Sequence, residues 1–172
     1  LLEKPALWLS GNGPEPAHAV RVRGTLVRNL ADFPFPAQCS EDEKRRIEER
    51  ILSVLGNLNL TSSGEYCSTS SLNQLERRLL LERDYLTESQ VRASGARGIY
   101  ISHDQTLSIM INDQDHLRIQ VMEPAMAFEE VWSKLSSLDD LLAVALDYAF
   151  DERLGYLTSD IATLGTGLRL DV

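Results

Sequence analysis

The run SIMINDQDHLRIQV, residues 108–121, limits the possible folds more than any other part of the chain. Leu117, Ile119 and Val121 alternate with Arg118 and Gln120, the period-two pattern of a strand with one apolar face. Leu107–Ile111 reads as the strand before it, and the four residues NDQD between them leave room only for a tight turn. The two therefore pair antiparallel, with an acidic turn at the end of a sheet. Gly98–Ser102 reads as a third strand, joined through the polar turn HDQT. Between Ala19 and Val27 the alternation returns, with Val20, Val22, Gly24 and Leu26 on one face and Arg21, Arg23 and Thr25 on the other.

An apolar sheet face has to be covered, and helix signals are present to do so. Ser40 followed by Glu43 forms a capping box, after which Ile47, Ile51, Val54, Leu55 and Leu58 recur at helical spacing, and Gly56 reads as the stop. Phe128–Leu135 and Leu138–Phe150 read as two more helices, the second capped by Ser137 with Asp140 at its third position. Residues 65–82 stay open: Glu65–Thr69 fits a strand, and LNQLERRLLLER has mixed periodicity. Strands interspersed with helices predict an α+β fold, an antiparallel β-sheet covered by helices on one face. Residues 1–18, rich in Gly and Pro, read as a lead-in anchored by Trp8, and residues 19–172 as the domain proper.

A chain of 172 residues, 43% hydrophobic and 25% charged, supports one domain with a real core. Its net charge of −9 opposes non-specific binding to nucleic acid or to an acidic membrane, although the acidic excess falls mainly after Arg118. No apolar run reaches membrane-spanning length. Cys39 and Cys67 have no metal-ligand spacing and form no disulfide framework, so a cytoplasmic protein with inert thiols and no metal site of its own is expected.

Taken alone, the polar residues have ordinary readings. Arg21 and Arg23 on a strand describe a solvated face, and Arg118 beside Asp113 or Asp115 an exposed ion pair worth ~0–1 kcal/mol. Gly165 and Gly167 read as tight-turn glycines. His116 beside a turn reads as a structural hydrogen-bonding residue, and His18 and His103 as surface residues.

Three blocks, in order and together running from about Trp8 to Arg169, resemble the phosphagen (ATP:guanido) kinases. RVRGTLVRNLADFPFP is similar to that family's SSRIRLARNL…PFP, SIMINDQDHLRIQ to SIMINEEDHLRIQ, and LDYAFDERLGYLTSDIATLGTGLR to a segment ending LTSCPTNLGTGLR. HLRIQ and DYAFDERLGYLTS read most like the bacterial protein-arginine kinases. The resemblance implies a glutamine-synthetase-like catalytic domain that phosphorylates a guanidino nitrogen with ATP and Mg. In the protein-arginine kinases that nitrogen belongs to an arginine-bearing protein.

The same resemblance assigns roles and exposes departures. Arg23, Arg118 and Arg169 take phosphate-binding arginine positions, and Asp113 replaces a glutamate with its charge kept. Gln114 stands where the family has its catalytic carboxylate, and Asp160 where it has its cysteine. Aligned without gaps, Thr25 occupies a second arginine position; a two-residue insertion would instead place Arg21 and Arg23 on that motif. A guanidinium is a poor nucleophile until a carboxylate orients it and takes its proton, which an amide cannot do. A positioned base is typically worth ~10²–10⁴-fold in rate. The expectation is a pseudokinase that binds nucleotide, an arginine-bearing protein or a partner kinase subunit. The alternative is an active divergent kinase in which Asp160 and neighbouring acids replace the lost groups. The chain stops at Leu170-Asp171-Val172, inside an expected strand, so a catalytic domain truncated at its C-terminus is expected, either a fragment or a natural remnant whose exposed edge would favour a partner or a dimer.

Overall fold

In a computed structural model, which describes residues 6–10, 14, 20–92 and 95–172, the alternating segments assemble into a six-stranded antiparallel sheet. Most of the 1–18 lead-in, including His18, lies outside the described residues. In chain order the elements are β1 (Arg21–Arg28), α1 (Glu41–Asn57), β2 (Gly64–Ser68), α2 (Gln74–Glu82), α3 (Glu88–Arg92), β3 (Gly98–Ser102), β4 (Leu107–Ile111), β5 (Leu117–Pro124), α4 (Phe128–Ala143), β6 (Phe150–Asp151), β7 (Gly155–Tyr156) and β8 (Leu168–Asp171). The strands lie in the order β2-β3-β4-β5-β1-β8, while β6 and β7 form a separate small hairpin.

Strand pleating divides the sheet residues between two environments. Val22 and Leu26 of β1, Ile109 and Ile111 of β4 and Leu117, Ile119 and Val121 of β5 point into the main core. There they meet Ile47, Ile51 and Leu55 of α1 and Val131, Leu135 and Leu142 of α4. Each such side chain contributes roughly 1.5–3 kcal/mol on burial. Gly24 lies where α4 crosses β1: a Cβ there would fall on the Val131 and Leu135 side chains, so the close approach needs glycine. Val20, placed on this face by alternation, instead lies ahead of β1 and is exposed, because pairing with β5 begins only at Arg21.

The capping box forms as the sequence predicts: Ser40 Oγ accepts from Glu43 N–H, and Glu43 accepts from Ser40 N–H. The helix runs one residue beyond Gly56 and stops where Asn59 turns left-handed, φ 57°. Two other expectations are corrected. The two helices expected over 128–150 are one, α4, which passes through Ser136 and Ser137 without a break and ends at Ala143. Val131, Leu135, Leu138 and Leu142 form one buried stripe along it, and this packing overrides the local capping preference of Ser137. Helices also cover both faces. The open 65–82 stretch resolves into β2 and α2, and Leu80 of α2 with Tyr85 and Leu86 packs on Ile99, Ile101, Met110 and Met122, on the side away from α1 and α4. Trp8, in a 3-10 turn at Leu7–Ser10, closes this second core and donates its indole N–H to Tyr85 Oη at 2.9 Å. Among the described residues no helix is long and apolar enough to cross a membrane.

Candidate active site

The second sheet face is only partly covered, and what it leaves beside β1, β5 and β8 is polar. Register places Val27 opposite Arg118, Thr25 opposite both Gln120 and Arg169, and Arg23 opposite Asp171. A cleft of about 100 Å³ opens there, lined by Thr25, Val27, Asp113, Gln114, Asp115, Arg118, Asp160, Thr163 and Arg169. Five of the six residues singled out from the sequence, Asp113, Gln114, Asp160, Arg118 and Arg169, thus meet at one place. Arg23 lies one step further along β1, outside the lining.

The 112–116 turn is anchored at every residue but one. Asn112, left-handed at φ 56°, donates its side-chain amide to Lys44 O and Ala96 O, both at 2.8 Å. The Asp113 carboxylate accepts from Ser89 Oγ at 2.5 Å and Thr87 Oγ1 at 3.1 Å, both at the start of α3. Asp115 Oδ1 accepts from Asn29 Nδ2 at 2.6 Å and Ser159 N–H at 2.7 Å. His116 is fully buried; its Nδ1 accepts from Leu30 N–H at 3.0 Å and its Nε2 lies 2.8 Å from Pro34 O, so the proton belongs on Nε2. Burial pushes this imidazole's pKa down, consistent with the structural role read from the sequence. Gln114 alone presents an exposed side chain with no hydrogen-bond partner among the described residues, held out on a fixed pedestal.

Asp160 reaches the cleft through a second turn docked on the first. Ser159 donates its hydroxyl to Gln114 O at 2.7 Å and its N–H to Asp115, which joins the two turns directly. The Asp160 side chain accepts from Ala162 N–H at 2.9 Å, and Thr163 N–H and Oγ1 both donate to Asp160 O at 3.0 Å. The carboxylate therefore stabilises its own turn in the manner of an Asx-turn. Following it, Gly165 and Gly167 adopt φ of 104° and 67°, the glycine-favouring region expected of tight-turn positions.

The arginines are held in different ways. Arg118 is half-buried and, among the described residues, its guanidinium has no hydrogen bond or ion pair. Burial lowers its pKa, Asp113 opposes that, and Arg23 and Arg169 add to it. A desolvated guanidinium flanked by two more has the chemistry to receive an anion. Arg23 and Arg169 are instead bridged by Asp171. Arg21, the other reading of the arginine motif, turns away to pair with Asp84 and stacks 4.7 Å over Trp8.

Sequence reasoning passed over Arg28, which secures the loop before β8. Its guanidinium is 3% exposed and grips Asp139 of α4 through Nε–Oδ1 at 3.1 Å and Nη2–Oδ2 at 2.6 Å. It also donates to Val27 O and Thr166 O and stacks 3.7 Å over Tyr156. The only sequence signal was its place in Arg28-Asn29-Leu30; nothing local marks it as buried. The DYAFDERLGY motif, expected to be helical up to Phe150, is here the β6–β7 hairpin that supplies Tyr156, with Asp151 Oδ1 accepting from Arg153 and Leu154 N–H.

Among the described residues, no three His, Cys, Asp or Glu side chains converge on a point that could hold a metal ion. A half-buried arginine on this cleft, unpaired among the described residues, does fit the phosphates of a nucleotide, which can carry magnesium on their own oxygens.

Known proteins resemble the chain in both sequence and fold. Residues 46–172 match the family model described as ATP:guanido phosphotransferase, C-terminal catalytic domain. The chain is 36% identical over 168 residues to a protein-arginine kinase of Halothermothrix orenii, covering 96% of this chain and 47% of that protein. It is 37% identical over 168 residues to one of Symbiobacterium thermophilum, covering 96% and 48%. The chain thus spans about half the length of these curated relatives. The substrate-free duplicated taurocyamine kinase from Schistosoma mansoni superposes with a TM-score of 0.80 at 26% identity over 88% of this chain and 23% of that one. A lombricine kinase crystal structure superposes with a TM-score of 0.76 at 26% identity, over 88% and 46%.

Proposed function

The chain belongs to the ATP:guanido phosphotransferase family, and from that premise we propose that it is a protein-arginine-kinase-like pseudokinase. It binds the phosphates of ATP and has a regulatory or recognition role toward an arginine-bearing protein or a partner kinase subunit. The observation that carries this reading is the asymmetry of the cleft. Its anion side keeps a half-buried Arg118 whose guanidinium has no partner among the described residues, whereas the acceptor side offers at position 114 an uncharged amide on an otherwise anchored turn. Phosphoryl transfer relies on positioning and charge stabilisation, so binding can survive where transfer does not. Without a carboxylate at 114, an incoming guanidinium meets amide donors at that position instead of a base for its proton.

The test is incubation with γ-labelled ATP, magnesium and an arginine-rich protein, alongside ATP titration by calorimetry. The pseudokinase reading expects saturable ATP binding that Arg118→Ala abolishes, and no acid-labile label on the protein. Label that depends on Arg118 would overturn it in favour of an active divergent kinase. That second reading draws on Asp113 and Asp160, two carboxylates on the walls of the same cleft. Restoring Gln114→Glu together with Asp160→Cys should create or raise turnover if the loss is confined to these positions, with non-additive single effects.

A further inference from the structure

Asp171 stands at the mouth of the arginine cluster. Strand pairing puts it directly opposite Arg23 on β1, and it lies two residues from Arg169 on the same face of β8. Each carboxylate oxygen serves one arginine: Oδ2 accepts from Arg23 Nε at 3.2 Å and Nη2 at 3.0 Å, and Oδ1 from Arg169 Nε at 2.9 Å. This is the way a phosphate would be held, with one anionic group spanning two guanidinium groups. Arg118 is left as the cluster's arginine without an ion pair among the described residues.

We infer that Asp171 is an internal anion that occupies Arg23 and Arg169 and thereby sets which anions the cleft accepts. A single phosphate can be taken at Arg118, but a polyphosphate gains from the other two arginines only by displacing Asp171. This rests on the reading of the cleft as an anion site. Several details agree with it. The carboxylate's side chain is 26% exposed, so it sits at the solvent boundary where an incoming anion would compete for the same donors. Partial burial raises its pKa, but the hydrogen bonds from Arg169 and Arg23 outweigh that and hold it below the usual carboxylate range, so it is ionised at neutral pH. Asp84 comes no nearer to Arg23 than 3.7 Å, a weaker claim on that guanidinium than the one Asp171 makes.

The experiment compares orthophosphate, pyrophosphate and tripolyphosphate binding by calorimetry, at fixed ionic strength, to the unaltered protein, Asp171→Asn and Arg118→Ala. The Asn amide keeps an acceptor oxygen and the shape of Asp171 while removing its charge. Asp171→Ser serves as a second variant, with thermal melts confirming that each is folded. In the unaltered protein, affinity should rise little from orthophosphate to tripolyphosphate. Asp171→Asn should tighten tripolyphosphate at least about tenfold, ~1.4 kcal/mol, and orthophosphate by less. Arg118→Ala should weaken all three. Tripolyphosphate binding that is unchanged or weaker in both folded Asp171 variants, while Arg118-dependent binding persists, would overturn the inference and leave the anion site standing. Absence of binding by every protein would overturn both.

Discussion

Arg28→Met tests how β1, α4 and the loop before β8 are held together beside the cleft. The Arg28 side chain is 3% exposed and that of its partner Asp139 is 12% exposed, so the pair is almost completely withdrawn from water. Removing one partner strands a buried carboxylate on α4, which typically costs 3–5 kcal/mol. The donors to Val27 O and Thr166 O go at the same time, and so does the guanidinium stacked on Tyr156. For a chain of this length each kcal/mol moves the melting temperature by about 2–4 °C, so a fall of roughly 6–20 °C is expected. Urea unfolding followed by tryptophan fluorescence, with Trp8 buried and Trp132 half exposed, measures the free-energy loss, and a thermal melt the fall in melting temperature. The double variant Arg28→Met with Asp139→Leu leaves no stranded charge and should recover at least about 1 kcal/mol relative to Arg28→Met alone, since a hydrophobic pair often replaces a buried ion pair at little cost. A single-variant loss under ~1 kcal/mol, or a double-variant loss equal to the sum of the two singles, would refute the claim that this pair ties β1, α4 and the 165–167 loop together.

Two further outcomes follow from the packing. Gly24→Ala should cost ~1–3 kcal/mol, because its methyl falls on Val131 and Leu135 where α4 crosses β1; a urea midpoint matching the unaltered protein would contradict that close approach. Burial depresses the His116 pKa below the ordinary imidazole value of 6.5, so between the two values the unfolded chain binds more protons than the folded one. Its contribution to stability is fully present above about pH 6.5 and is lost as the pH falls through the folded-state value. His116→Gln should flatten that part of a stability-against-pH curve, and an unchanged slope would count against the neutral, buried imidazole.

What the amino-acid sequence determined by itself was whatever rests on neighbours a few residues apart. The period-two runs gave β1, β3, β4 and β5, Ser40 with Glu43 gave the start of α1, and the three family-like blocks picked out five residues that do meet in one cleft. Where local signals competed with long-range packing, they misled. Ser137 resembled a cap because Asp140 follows at the third position, but the buried stripe that packs on the sheet carries α4 through it, and the mixed pattern of residues 72–83 hid a helix whose apolar side faces a second core closed by Trp8 and Tyr85.

Tertiary structure alone decided the rest. Arg28 and Asp139 are 111 positions apart and Arg23 and Asp171 are 148 apart, so no local pattern shows that the first pair is buried or that the second ties up an arginine of the proposed phosphate cluster. Likewise, Gln114 and Asp160 were two separate departures in the sequence, and they share a cleft because Ser159 docks one turn on the other. The physical reason is that alternation and capping are satisfied within one element, whereas the partner of a buried charge is fixed only when the sheet closes and its register is set.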